Sequence, residues 1–137
     1  MAGLASLLIK IFLISFFINL LYEVLHSLLY KTCIEAPLPK YVYVILKAAL
    51  FDGLSITVIY AIFYSAFKTQ NLFYSYLPII AFILISLVFA YIWEYYAIKK
   101  KRWEYSDNMP LVLGVGITPL IQLASTGILS IFIAVNF

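Results

Sequence analysis

Three carboxylic acids and one histidine sit in stretches of this chain that are otherwise apolar: Glu23 and His26 in NLLYEVLHSLLY, Asp52 in KAALFDGLSI, and Glu94 in FAYIWEYYAI. An acid near the middle of a bilayer costs roughly 2.5–3.5 kcal/mol even on a lenient insertion scale. Such a group therefore carries a proton or finds a cation or hydrogen-bond donor. Glu23 and His26 lie one helical turn apart, so carboxyl and imidazole can meet as an acid–base pair. Glu23, His26, Asp52 and Glu94 are thus the candidate catalytic groups for proton transfer. One imidazole with three acids could also hold a hard divalent cation, but no ligand spacing supports it, and neither a metal nor a cofactor is expected.

The elements that position these groups follow from helical periodicity. Asn19, Glu23, His26 and Tyr30 fall on one stripe of a helix; Ala48, Asp52 and Ser55 fall on a second. Ser86, Ala90, Glu94 and Ala97 form a third, and Gly114, Thr118, Gln122 and Ser125 a fourth. Turning all four stripes inward gives close backbone approach at the small residues and cross-helix hydrogen bonds at the polar ones. Asn19 and Gln122 read first as such interhelical bonding groups, and together with Trp93, Trp103 and Tyr105 they are the candidate substrate-binding residues. The aromatics would offer ring faces to an apolar or cationic species, although rings at these positions also fit an interfacial belt.

Composition places the chain in a membrane. Of 137 residues, 66% are hydrophobic and 11% charged, against roughly 45–50% and about 25% in soluble domains. The net charge of +3 comes from cations beside apolar runs, which points to topology and lipid headgroups; no nucleic-acid partner is expected. Membrane lipids, and a lipid-soluble small molecule, are the partners the composition suggests. Cys33 is the single cysteine, so no internal disulfide is available. The apolar run after Lys10 lacks a small-x-small cleavage pattern and is read as a retained first span.

Runs of about 20 apolar residues are long enough to cross a bilayer. Four are present, at about 4–30, 41–67, 72–98 and 110–135, and the whole chain reads as a single integral membrane domain. Short connections make neighbours antiparallel, so the expected fold is an all-α membrane protein, a four-helix transmembrane bundle with up-down topology. Lys31, Lys40, Lys99, Lys100, Lys101 and Arg102 lie in the first and third connections. The positive-inside rule therefore puts loops 31–40 and 99–109 of this multi-pass cell-membrane protein in the cytoplasm and both termini outside. On that topology Glu23, His26, Asp52, Glu94 and Gln122 lie about 6 to about 18 Å beneath the cytoplasmic boundary.

The stretch RWEYSDNMPLVLGVGITP (102–119) reads as a lid over those acids. Pro110 suits the first turn of the fourth helix, Gly114 and Gly116 suit close helix packing, and Pro119 would loosen that helix beside Gln122. Arg102 is expected to set topology and to reach Glu94 or Glu104, while Lys10 and Lys47 snorkel or pair. No H-E-x-x-H, G-x-S-x-G, Walker or Rossmann pattern occurs.

The phrases NLLYEVLHSLLYK, KAALFDGLSI, WEYYAIKKKRWEYSDNMP and GVGITPLIQL resemble a family of small bacterial and archaeal four-span membrane proteins, over most of the chain. That resemblance implies the same site residues and no particular reaction. The second half alone, through Glu94, Trp103-x-Tyr105, Pro110 and Gly116-x-x-Pro119, is similar to the membrane-embedded carotenoid hydratases and lycopene cyclases, in which acids protonate a polyene. Those cyclases follow the comparable proline with paired acids, whereas this chain has Leu120 and Ile121 before Gln122. The likeness implies an isoprenoid-like ligand.

Three readings follow. The first is a membrane enzyme or binding protein that acts by acid–base chemistry on a lipid-soluble, isoprenoid-like molecule. The second is a proton- or ion-coupled carrier, which with four short spans requires a homo-oligomer. The third is a non-catalytic membrane scaffold.

Overall fold

The computed structural model describes residues 2–137. Helix α1 (Ala2–His26) tightens into a 3-10 turn at Ser27–Leu29, and the chain continues through the short helix α2 (Lys31–Ile34). Helix α3 (Leu38–Phe67), a 3-10 turn at Leu72–Tyr74 and α4 (Tyr76–Lys99) follow. Strands β1 (Leu111–Val112) and β2 (Val115–Gly116) form a small hairpin before α5 (Ile117–Asn136). Four of these helices are long and apolar enough to cross a membrane: Gly3–Leu29, Leu38–Phe67, Tyr76–Lys99 and Ile117–Asn136.

Local chemistry explains the boundaries. Pro37 and Pro39 start α3 where missing N–H groups leave no helical bond unmade. Lys68 ends it in the left-handed region, at φ 54°, with its N–H on Tyr64 O. The four long helices form an up-down bundle in which α1 packs on α3 and α5, and α4 on α5, while α3 and α4 touch over a shorter stretch. At Gly53 the backbones nearly meet: a Cβ there would lie 3.2 Å from the backbone nitrogen of Phe16. The outward faces carry Leu13, Phe17 and Leu21 on α1 and Val58, Ile62 and Leu84 on α3 and α4, all exposed, as hydrocarbon requires. The inward faces carry Ser15, Asn19, Ser55, Ser86, Gln122 and Thr126, all buried. The outward faces are thus apolar, while the interior mixes these polar groups with an apolar core that includes Ile11, Ile56, Phe63 and Phe82.

Four expectations change here. The fourth helix begins at Ile117, not at Pro110, because residues 111–116 pair as a hairpin, Leu111 with Gly116 and Val112 with Val115. Its two central residues, Leu113 (φ 50°) and Gly114 (φ 79°), are both left-handed, the geometry of a two-residue turn that matches strand twist. Gly114 is therefore a turn residue with nothing around it rather than a helix-packing one. Pro119 falls in the first turn of α5, where no intrahelical N–H partner is needed, so α5 runs on unbroken. Finally, the inward stripe of α5 is Gln122, Thr126 and Ser130, with Ser125 exposed.

Candidate functional site

A cavity of about 600 Å³ opens between α3 and α4 at the end of the bundle that carries α2 and the 100–109 loop. Glu23, Asp52 and Glu94, from α1, α3 and α4, all line it. Its apolar wall is a stack: Phe51 lies 4.4 Å from Trp93 and 6.3 Å from Phe89 between ring centroids. Gln122 and Leu123 of α5 close the inner side.

Glu23 and Asp52 meet on Gln122. The Nε2 of Gln122 donates to Oε1 of Glu23 and to Oδ2 of Asp52, 2.8 Å each, and lies 3.1 Å from Oδ1 of Asn19. An amide nitrogen has two hydrogens for these three acceptors. The other oxygen of Glu23 faces Nε2 of His26 at 3.3 Å. His26 Nδ1 is buried without a partner among the described residues, and the ring packs edge-on against Tyr22 at 4.7 Å. Asn19 is anchored in turn, donating to Ser15 O at 2.8 Å and accepting from Thr126 Oγ1 at 3.0 Å.

Glu94 is held differently. Its Oε1 accepts three bonds, from Tyr105 Oη at 2.8 Å, Trp103 Nε1 at 3.0 Å and Tyr30 Oη at 3.2 Å. These donors come from a strap that docks on the α1–α2 connection: Tyr105 bridges to Tyr30, Ser106 N bonds Leu29 O at 2.9 Å, and Glu104 N bonds Thr32 Oγ1 at 2.8 Å. Tyr105 also accepts from Gly116 N at 3.0 Å, which ties the strap to the hairpin. Burial, reinforced by the neighbouring Glu94 carboxyl, holds the phenols of Tyr30 and Tyr105 above the ordinary tyrosine range. Both therefore remain donors at any physiological pH. The Cys33 thiol is pushed up by burial and by the Glu23 charge, which keeps it from acting as a thiolate.

Of the residues singled out from sequence, Glu23, Asp52, Glu94, Trp93, Trp103 and Gln122 line the cavity. His26, Asn19 and Tyr105 do not; they stand behind the lining and hold it. Arg102 reaches neither Glu94 nor Glu104. Its guanidinium lies over the rings of Tyr96 at 5.1 Å and Trp93 at 5.4 Å, while Glu104 faces Lys31 at 3.7 Å. Ser15 and Thr126 escaped the sequence reading, although Ser15 lies four residues before Asn19 on the same helical stripe.

Fold and site define a polytopic membrane protein whose apolar helices enclose a cluster of hydrogen-bonded acids. No family model, curated protein or solved structure matches the chain, so the geometry of the cavity is what bears on its function.

Proposed function

We propose that the cavity binds a lipid-soluble, isoprenoid-like molecule and that Glu23 and Asp52 act on it by proton transfer. The observation that carries this reading is the convergence of three carboxyl groups from three helices on one cavity with a stacked aromatic wall, within a single chain. One proton held between Glu23 and Asp52 completes the donor count that the Gln122 amide leaves short. Such a proton, shielded from bulk water, is the acid an alkene requires. Transfer to an alkene carbon leaves a carbocation, and loss of a neighbouring C–H proton to the vacated carboxylate ends the step. The net change is an isomerisation or cyclisation, with no oxidant or reductant consumed. Phe51 and Trp93 present ring faces to the cation, and Glu94, fixed by three donors, supplies a nearby negative charge. His26 orients Glu23 and Asn19 orients Gln122. On the positive-inside argument the cavity opens toward the cytoplasmic leaflet.

Lipid mass spectrometry of cells expressing the wild type against Asp52→Asn tests this. The expected result is an isoprenoid-range species altered by the wild type and unaltered by the variant. Matching profiles from a host that makes the substrate would sink the catalytic reading. The carrier reading loses one support, since α5 is not broken at Pro119.

A further inference from the structure

Two cations also line the cavity, and neither serves the acids. Lys47 projects from α3 and Arg102 from the loop after α4, so the two helices that flank the cavity each bring one cation to it. Among the described residues neither is paired with a carboxylate; the ion pairs of the loop end belong to Lys31, with Glu35 at 4.0 Å and Glu104 at 3.7 Å, and to His26. Lys47 lies over Tyr43 at 5.8 Å and Arg102 over Tyr96 and Trp93. Ring faces of this kind fix a cation in place without neutralising it. Along α3, Lys47 is five residues from Asp52, about 7.5 Å nearer the loop end. The loop end of the cavity therefore carries the two cations, with Glu94 held beside them by the 103–105 strap; Glu23 and Asp52 lie further in on Gln122, and the wall between is aromatic.

Resting on the reading that the cavity holds a lipid-soluble molecule, we infer that Lys47 and Arg102 form a head-group site for a phosphate-headed amphiphile whose apolar chain lies along Phe51, Phe89 and Trp93. A guanidinium and an ammonium from two different elements match the several oxygens of a phosphate. Repulsion by Glu23 and Asp52, further in on Gln122, keeps the phosphate at the loop end and sets how far the chain enters. The shared chemistry of a single-chain prenyl phosphate and of a membrane phospholipid satisfies the site equally, and competition separates them.

The chain supplies its own probe, because its only two tryptophans, Trp93 and Trp103, both line the cavity. Tryptophan fluorescence of the full-length protein in dodecyl maltoside is titrated with farnesyl monophosphate, farnesol, farnesylamine and inorganic phosphate. Farnesyl phosphate is expected to bind about tenfold or more tighter than farnesol, the ratio typical of charge-assisted hydrogen bonds. In the double variant K47Q/R102Q that preference disappears while farnesol binds as in the wild type, which also shows that the variant is folded. Displacement of farnesyl phosphate by phosphatidylglycerol identifies the membrane phospholipid as the source; no displacement identifies a single-chain ligand. Equal binding of phosphate and alcohol, or tighter binding of the amine, overturns the head-group site and leaves the apolar cavity standing. If farnesol and farnesyl phosphate both fail to bind, the head-group site and the cavity reading fall together.

Discussion

Glu23 on α1 and Asp52 on α3 accept from the same nitrogen of Gln122, each at 2.8 Å. Two acids separated by 29 positions in the chain are thereby fastened to a third helix through one amide. Replacing Gln122 by Leu removes both bonds and leaves the two carboxyls facing apolar surface. We expect a loss of about 1–3 kcal/mol, the usual cost of stranding buried acceptors. Thermal unfolding in detergent measures it. Adding Asp52→Asn to Gln122→Leu should recover part of the loss, since an amide can donate to Glu23; a strictly additive double variant would show that the two acids do not share the amide's bonds.

Tyr105 links Glu94 to the hairpin, donating to the one and accepting from the other. Tyr105→Phe should lower stability by about 1–2 kcal/mol and loosen the strap, seen as faster amide exchange at Gly116. The phenol also sets a pH dependence. Its proton is held more tightly folded than unfolded, where the ordinary value is 10.0. The folded state thus binds more protons above that value, and stability is fully present below about pH 10 and falls as pH rises beyond it. Tyr30 acts in the same direction. Tyr105→Phe should make the alkaline fall shallower, and an unchanged slope would exclude this phenol as its source.

Gly53, next to Asp52, is a close approach of α1 and α3, with backbone rather than a flexible side chain facing it. Alanine ordinarily stabilises a helix by about 1 kcal/mol relative to glycine. Here a Cβ at 3.2 Å from the Phe16 backbone should reverse that sign. Gly53→Ala is expected to melt at a lower temperature than wild type, and Gly53→Val lower still. A rise in melting temperature for Gly53→Ala would show that the helices can part without cost.

Ser86 on α4 is fully buried and its hydroxyl has no partner among the described residues. Removing an unsatisfied hydroxyl relieves a desolvation cost. Ser86→Ala should therefore melt at the same or a higher temperature; a clear drop would reveal a bonded water or a hidden acceptor.

Most of the architecture was legible because hydrocarbon demands long apolar runs, and four of these stand between short charged connections. The acids were legible for the complementary reason: Glu23, Asp52 and Glu94 interrupt runs that could have held leucine, and helical spacing aligned Asn19, Glu23 and His26 correctly. The hairpin at 111–116 was not legible, since VLGVG inside an apolar stretch has the same mean hydropathy in a helix or a turn. From Gln122, a step of three lands on Ser125, which faces outward, whereas steps of four reach the buried Thr126 and Ser130. The strap over Glu94 was hidden for a different reason: Trp103 and Tyr105 look like interfacial aromatics by type, and only the docking of residues 104–106 on Leu29–Thr32 turns them into donors.

In the proposed reaction a proton from the Glu23–Asp52 pair reaches carbon of a lipid-soluble molecule in the cavity. Purified protein incubated in heavy water with lipid extract from cells that naturally make the chain, followed by mass spectrometry, tests this directly. An isoprenoid-range species is expected to gain carbon-bound deuterium with the wild type and none with Asp52→Asn. Deuterium incorporation that persists in Asp52→Asn, or none with the wild type, would contradict it.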